Sequence, residues 1–187
     1  MPHVAVTAVG ADRTGIVAAV TKVLVERGCN LEDASMAILR GHFAMMLVVD
    51  VPGPVDRPEG AAVAAGALEA ALGPTADELE LVVTVRPLAD EVPAGGAEGE
   101  SWTVAVYGAD RPGIVHGVAA LMADLGVNIV DLTTRVVGPP HEPVYMMLLD
   151  VTVPAAISEA QLRERLEQRA DELAVQCSLH RSDADIL

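Results

Sequence analysis

Basic residues, aromatics and cysteines are all scarce in this chain, and each shortage removes a class of function. Lys and Arg together number 12 against 27 Asp and Glu, a formal net charge of −15 over 187 residues. A protein that grips nucleic acid offsets phosphate charge with clustered cations, and the few cations here are scattered. Platforms for stacking unpaired bases are equally thin, since Phe43, Trp102, Tyr107 and Tyr145 are the complete aromatic set. Direct binding of nucleic acid is therefore not expected. Cys29 and Cys177 stand far apart without Cys-x-x-Cys spacing, which argues against a disulfide framework or a thiolate metal site and for two reduced, largely buried thiols. No basic segment precedes an apolar stretch at the N-terminus, and the run Phe43 to Val49 is far shorter than the ~20 residues of a membrane span. No membrane contact is expected, and the chain reads as cytoplasmic.

Catalytic signatures are missing too. His3, His42, His116, His141 and His180 show no HxxxH or HExxH spacing and no cysteine companions, so neither a metal nor a cofactor is expected. No GxSxG frames a nucleophile, and the segment GADRTG lacks the Lys-Ser/Thr pair of a phosphate-binding loop. No catalytic residues can be named, and the chain is not expected to be an enzyme.

What is present is an internal repeat. Val4 to Val17 reads VAVTAVGADRTGIV and Val104 to Val115 reads VAVYGADRPGIV. From Asp12 onward the two copies match at an offset of 98, which pairs Gly28 with Gly126, Asn30 with Asn128, Leu31 with Ile129 and Asp33 with Asp131. A small insertion follows around Gly138, Pro139 and Pro140, after which Met46–Val51 resembles Met146–Val151. Residues 88–99, within a Pro-, Gly- and acid-rich stretch without hydrophobic periodicity, are expected to be a linker between domains at 1–87 and 100–187. With 51% apolar residues each half can build a core, although each is small enough that association is expected.

Each copy has the same order of elements. An alternating strand from Val4 to Val9 leads through a turn at Gly10–Thr14 into a helix with Ile16, Val20, Val23 and Leu24 on its apolar stripe and Gly28 as its stop. The second copy repeats this with Ile114, Val118, Leu121, Met122 and Leu125, and Pro112 is expected in the first helical turn. Asn30–Leu39 and His42–Val51 read as a hairpin turning at Arg40-Gly41, with Asn128–Val137 and Val144–Val153 as counterparts. A second helix is signalled by Val63, Ala67, Leu68, Ala71 and Leu72, ending near Gly73-Pro74. Its partner is opened by a Ser158/Gln161 capping box. Closing strands are expected at Leu79–Val85 and Leu173–Leu179, and Asp183-Ala184-Asp185 as a solvated end. The fold class is α+β: two ferredoxin-like βαββαβ domains, each a four-stranded antiparallel sheet with two helices on one face.

The turn after the first strand of each copy is the candidate binding place. A helix N-terminus offers unpaired amides and partial positive charge, so a ligand carboxylate could dock there while Asp12 or Asp110 holds an ammonium group. Gly15 and Gly113 leave room for close approach. The alternative is that both acids complement the helix dipole, both glycines relieve crowding, and Arg13 and Arg111 are solvated. Asn30 and Asn128 have a similar double reading, as ligand contacts or as turn residues after a helix-ending glycine. Met45, Met46, Met146 and Met147 read as core.

The ADRTGIV and ADRPGIV segments, together with Gly28-Cys29-Asn30-Leu31-Glu32-Asp33, resemble ACT domains. The tandem arrangement is similar to that of proteins related to the glycine cleavage system transcriptional repressor, and the same signature opens formyltetrahydrofolate deformylases. The resemblance implies a module that binds an amino acid where two ACT domains pack together, lined by the loop after the first strand and the start of the second. The matching ligand-binding residues are Asp12, Arg13, Thr14, Gly15, Ile16, Asn30 and Leu31 in one copy and Asp110, Arg111, Pro112, Gly113, Ile114, Asn128 and Ile129 in the other. Thr14 stands where the second copy has Pro112, and Cys29 where it has Val127, which leaves open whether the sites differ in affinity or one alone is used. The expected ligand is glycine or another small amino acid, the expected assembly a homodimer, and the expected outlet a protein partner such as a DNA-binding regulator. The alternatives are an interaction or oligomerisation module without small-molecule control and a regulatory subunit associated with an enzyme.

Overall fold

A computed structural model describes residues 2–52, 58–89, 99–139 and 143–182. The expected linker at 88–99 falls largely outside these residues, as do Pro140, His141 and the Asp183-Ala184-Asp185 tail. The chain divides into two compact units, Met1–Pro93 and Ala94–Leu187.

The first unit runs β1 (His3–Ala11), α1 (Ile16–Glu26), β2 (Asn30–Leu39), β3 (His42–Asp50), α2 (Pro58–Leu79) and β4 (Leu81–Pro87). The second repeats it as β5 (Gly99–Gly108), α3 (Ile114–Asp124), β6 (Asn128–Val137), β7 (Val144–Pro154), α4 (Glu159–Leu173) and β8 (Val175–Arg181). Both sheets are antiparallel, in the orders β2-β3-β1-β4 and β6-β7-β5-β8. Period-two alternation sends Val4, Val6 and Ala8 of β1 and Phe43, Met45, Leu47 and Val49 of β3 to one face, where they join Ile16, Val20 and Leu24 of α1 and Leu68 and Leu72 of α2 in a single core. Val104, Val106, Met147, Leu149, Val118, Met122, Leu162 and Leu166 form the equivalent core in the second unit. Among the described residues, the opposite face of each sheet carries no helix of its own unit. The edge strand β2 is exposed along its whole length.

The turns obey local chemistry. Arg40 and Gly41 both take positive φ, 50° and 79°, as a two-residue hairpin turn demands. Ser158 and Gln161 cap α4 reciprocally, as their spacing predicts.

Four expectations are corrected. Helix α2 does not end at Gly73-Pro74 but continues through Pro74 to Leu79, which moves the closing strand to Leu81–Pro87. Pro74 deprives the Ala70 carbonyl of its helical donor. Both residues are exposed, so water can serve that carbonyl, while Leu72, Ala76 and Leu79 carry the apolar stripe across the proline onto the core. The stripe itself is rotated: Ala65, Leu68, Leu72 and Ala76 are buried and Val63 is 71% exposed. In the second unit the closing strand likewise starts later, at Val175, because α4 extends to Leu173. Pro112 precedes helix α3 rather than joining its first turn, because Gly113 stands between them as the N-cap with φ 97°.

The ladders also revise the match between copies. Gly10 lies opposite Phe43 and Gly108 opposite Tyr145, so beyond the insertion the structural counterpart of Phe43 is Tyr145, that of Met46 is Leu148 and that of Asp50 is Thr152. The likeness of Met46–Val51 to Met146–Val151 is thus displaced by two residues, a shift that leaves every side chain on the same face.

Candidate functional site

The turn between β1 and α1 exists because Gly15 enters the left-handed region, φ 97° and ψ −5°, and reverses the chain into the helix. Having no side chain, Gly15 provides no cap, and no acidic residue occupies the first helical turn. The helix therefore begins with amides that have no intrahelical acceptor. One backbone amide of the turn is already used, since Asp12 N–H donates to the Gly41 carbonyl at 2.9 Å and fastens the turn to the β2–β3 hairpin.

A concavity of about 290 Å³ opens here, lined by Asp12, Arg13, Gly15, Ile16, Val17, Ala18, Met36 and Phe43. Its floor is apolar, with Phe43 2% exposed and Met36 of the edge strand half-exposed. Arg13 forms an ion pair with Glu80 at the α2–β4 corner. Both side chains are well exposed, so separating them costs only about 0–1 kcal/mol, and the guanidinium can be redirected toward an anion. Asp12 and Arg13 thus flank an uncapped helix start, an arrangement of both signs around an apolar floor that suits a zwitterion.

The structure brings some of the expected residues together and separates others. Asp12, Arg13, Gly15 and Ile16 meet at the concavity, Ile16 with its side chain in the core, and Thr14 is an exposed part of the turn outside the lining. Asn30 and Leu31 are elsewhere. Asn30 lies opposite Asp50, which is opposite His3 at the start of β1, whereas the turn follows Ala11 at the strand's other end. Eight strand positions at about 3.3 Å each put them about 26 Å apart. Within one module the turn and Asn30 cannot hold the same small ligand.

In the second unit Asp110, Arg111, Pro112 and Gly113 form an exposed turn ahead of the buried Ile114, and Asn128 and Ile129 again lie at the far end of the sheet, level with Ser101. The floor differs in chemistry. Thr134 and Tyr145 occupy the positions of Met36 and Phe43. The Tyr145 hydroxyl is pushed above the ordinary phenol range, first by burial and also by the Asp110 carboxylate, while a hydrogen bond with Thr134 opposes the rise. Ala174 stands where the first unit has Glu80, so the carboxylate that pairs with Arg13 has no counterpart at that position for Arg111. A concavity of about 550 Å³ in this unit sits beyond the end of β5, against Gly108, Val144 and Val175, and omits the Asp110 turn.

Met36, Phe43, Thr134 and Tyr145 were not singled out as site residues from sequence. Their signal was available in the strand alternation, but only the ladder places them beneath the turn. A serine–histidine contact, Ser178 Oγ to His180 Nε2 at 3.2 Å, joins same-face neighbours on β8 and is an exposed surface hydrogen bond. No helix among the described residues is long and apolar enough to cross a membrane.

The chain is a tandem ACT-domain protein: profiles of the ACT domain match residues 3–86 and 102–171. Over 180 residues, 95% of this chain and 89% of the relative, it is 26% identical to the glycine cleavage system transcriptional repressor of Escherichia coli strain K12. An 86-residue stretch, 46% of this chain, is 40% identical to a UPF0237 protein of Methanopyrus kandleri and covers 88% of it. A crystal structure of a protein of unknown function from Galdieria sulphuraria superposes with a TM-score of 0.75 at 27% identity, covering 97% of this chain and 99% of that one. The chain is therefore a pair of ACT regulatory domains homologous to a glycine cleavage repressor.

Proposed function

We propose that this protein is an amino-acid-responsive regulator, not a catalyst, that senses a small amino acid at its β1–α1 turns and transmits the result through a protein partner. The observation that carries this reading is the concavity at Asp12–Ala18, where uncapped helix amides and Arg13 are open to an anion, Asp12 is open to a cation, and Met36 and Phe43 floor the space between. Asn30 and Leu31, and likewise Asn128 and Ile129, join such a ligand only when a second ACT surface, such as that of another copy of this chain, is brought against the turn. A homodimer would supply such a surface. A ligand shifts such an association only by its differential affinity for the two states. Action through a partner accords with the acidity of the chain, which disfavours direct DNA contact.

Calorimetric titration of the full chain with glycine and the other common amino acids tests the reading. Saturable binding that weakens at least about tenfold in Asp12→Asn supports it, and silence from every amino acid in folded protein rejects it.

A second reading, an interaction module without small-molecule control, draws on the helix-free face of the first sheet, where Val9, Met46 and Val82 are 49%, 49% and 70% exposed. Partner capture from lysate that is unchanged by every amino acid would favour it.

A further inference from the structure

We propose that His3, Glu32 and Asp50 form a binding site for one divalent first-row transition cation on the helix-free face of the first module. Three neighbouring strands deliver the three side chains. His3 on β1 lies directly opposite Asp50 on β3, and both point away from the core because Val4 and Val49 beside them point into it. Glu32 comes from β2 at the point where the β2–β3 register shifts between Leu31 and Asp33. That bulge makes Glu32 the extra residue, and a bulge of this kind re-aims a side chain that regular pleating would send elsewhere.

The distances suit a shared ion. His3 Nε2 is 3.1 Å from Glu32 Oε2 and 3.1 Å from Asp50 Oδ1, and one donor atom from each residue lies within 4.8 Å of the others. Neighbouring ligands on an octahedral ion with bonds of about 2.1 Å are separated by about 3.0 Å. Hydrogen bonding accounts less well for the same geometry. Among the described residues Asp50 Oδ1 is buried from solvent and has no hydrogen-bond partner, the imidazole nitrogen standing at ion-pair distance. A buried carboxylate oxygen left in that state is costly, and a cation held between it and the imidazole removes the cost. One imidazole with two carboxylates is a borderline donor set, suited to zinc, manganese or iron(II) ions, and three protein ligands leave positions for water.

The second module lacks the set. By register its equivalent positions are Ser101, Val130 and Thr152, so the site distinguishes two otherwise similar domains. Spacing along the chain does not signal the set, because the ligands come from three strands and no two of them are close in sequence. A bound ion would tie the fully exposed edge strand β2 to β3 and β1.

Calorimetric titration of the full chain with Zn²⁺, paired with Co²⁺ absorption spectra, tests the assignment. The expected result is one Zn²⁺ per chain, with affinity falling at least about tenfold in both Glu32→Gln and Asp50→Asn. His116→Ala, on helix α3 of the other module, should bind as the wild type does. Unchanged far-ultraviolet circular dichroism establishes that the variants are folded. If Asp50→Asn does not fold, Glu32→Gln, which alters an exposed side chain at constant shape, carries the test alone. Absence of Zn²⁺ uptake by the wild type, or wild-type affinity in folded Glu32→Gln, overturns the proposal.

Discussion

Replacing Gly15 by alanine isolates the backbone contribution of the turn that begins helix α1. The residue holds φ 97° and ψ −5°, a region that side chains with a Cβ rarely enter. A Cβ added there would meet no atom within 4 Å, so crowding adds nothing and the whole penalty is conformational. Forcing an L-residue into left-handed backbone costs about 1–2 kcal/mol. Alanine also restricts the unfolded chain more than glycine, which returns a few tenths of a kcal/mol. The net loss is about 1–1.5 kcal/mol, which for a unit of this size lowers the unfolding midpoint by roughly 5–10 °C. Urea denaturation followed by circular dichroism should move the midpoint with an unchanged slope, since compactness is unaffected. Ala174→Gly supplies the opposite sign, because Ala174 already occupies φ 51° and ψ 48°. Relief of its strain should offset the entropy cost of glycine and leave stability equal or up to about 1 kcal/mol higher. Wild-type stability in Gly15→Ala would refute the argument that positive φ, rather than packing, requires this glycine.

Three further outcomes follow from named contacts. Ser158→Ala removes the side-chain acceptor for Gln161 N–H and should cost about 0.5–2 kcal/mol, whereas Ser158→Gly should cost only a few tenths in the same urea titration. Burial pushes the Cys177 thiol up from 9.0 to about 11, so its alkylation by iodoacetamide in folded protein should rise with pH until about 11 and not level off near 9. A thiol whose proton is held more tightly in the folded state adds stability below the unfolded value and loses it between about 9 and 11 as pH rises, so Cys177→Ser should flatten that alkaline decline. Tyr145→Phe removes the hydroxyl paired with Thr134 and should cost about 0.5–1.5 kcal/mol in thermal unfolding. The double variant Thr134→Met with Tyr145→Phe copies the apolar floor of the first module and should recover part of that loss.

The duplication was plain in the sequence, because identical Ala-Asp-Arg turns and helix-ending glycines are set by local chemistry. Strands β2 and β6 have the bounds expected of them, Asn30–Leu39 and Asn128–Val137, since the chain must turn at Arg40-Gly41 or Gly138. Helix α2 was less legible. A Gly-Pro pair reads locally as a stop, and only burial of Ala76 and Leu79 against the core reveals that the helix continues. The register after the insertion was likewise hidden, because a repeated apolar segment tolerates a two-residue shift without changing face.

Pattern and turn chemistry by themselves determined that this chain makes two βαββαβ modules with a glycine-turned helix start in each, because those features depend on residues within a few positions of one another. Which side chains share a site was decided by strand pairing alone. Pairing sets Asn30 about 26 Å from the Asp12 turn, slides Met36 and Phe43 beneath it, and gathers His3, Glu32 and Asp50 from three strands. The physical reason is that ladder register is a property of two strands together, and no single stretch of sequence contains it.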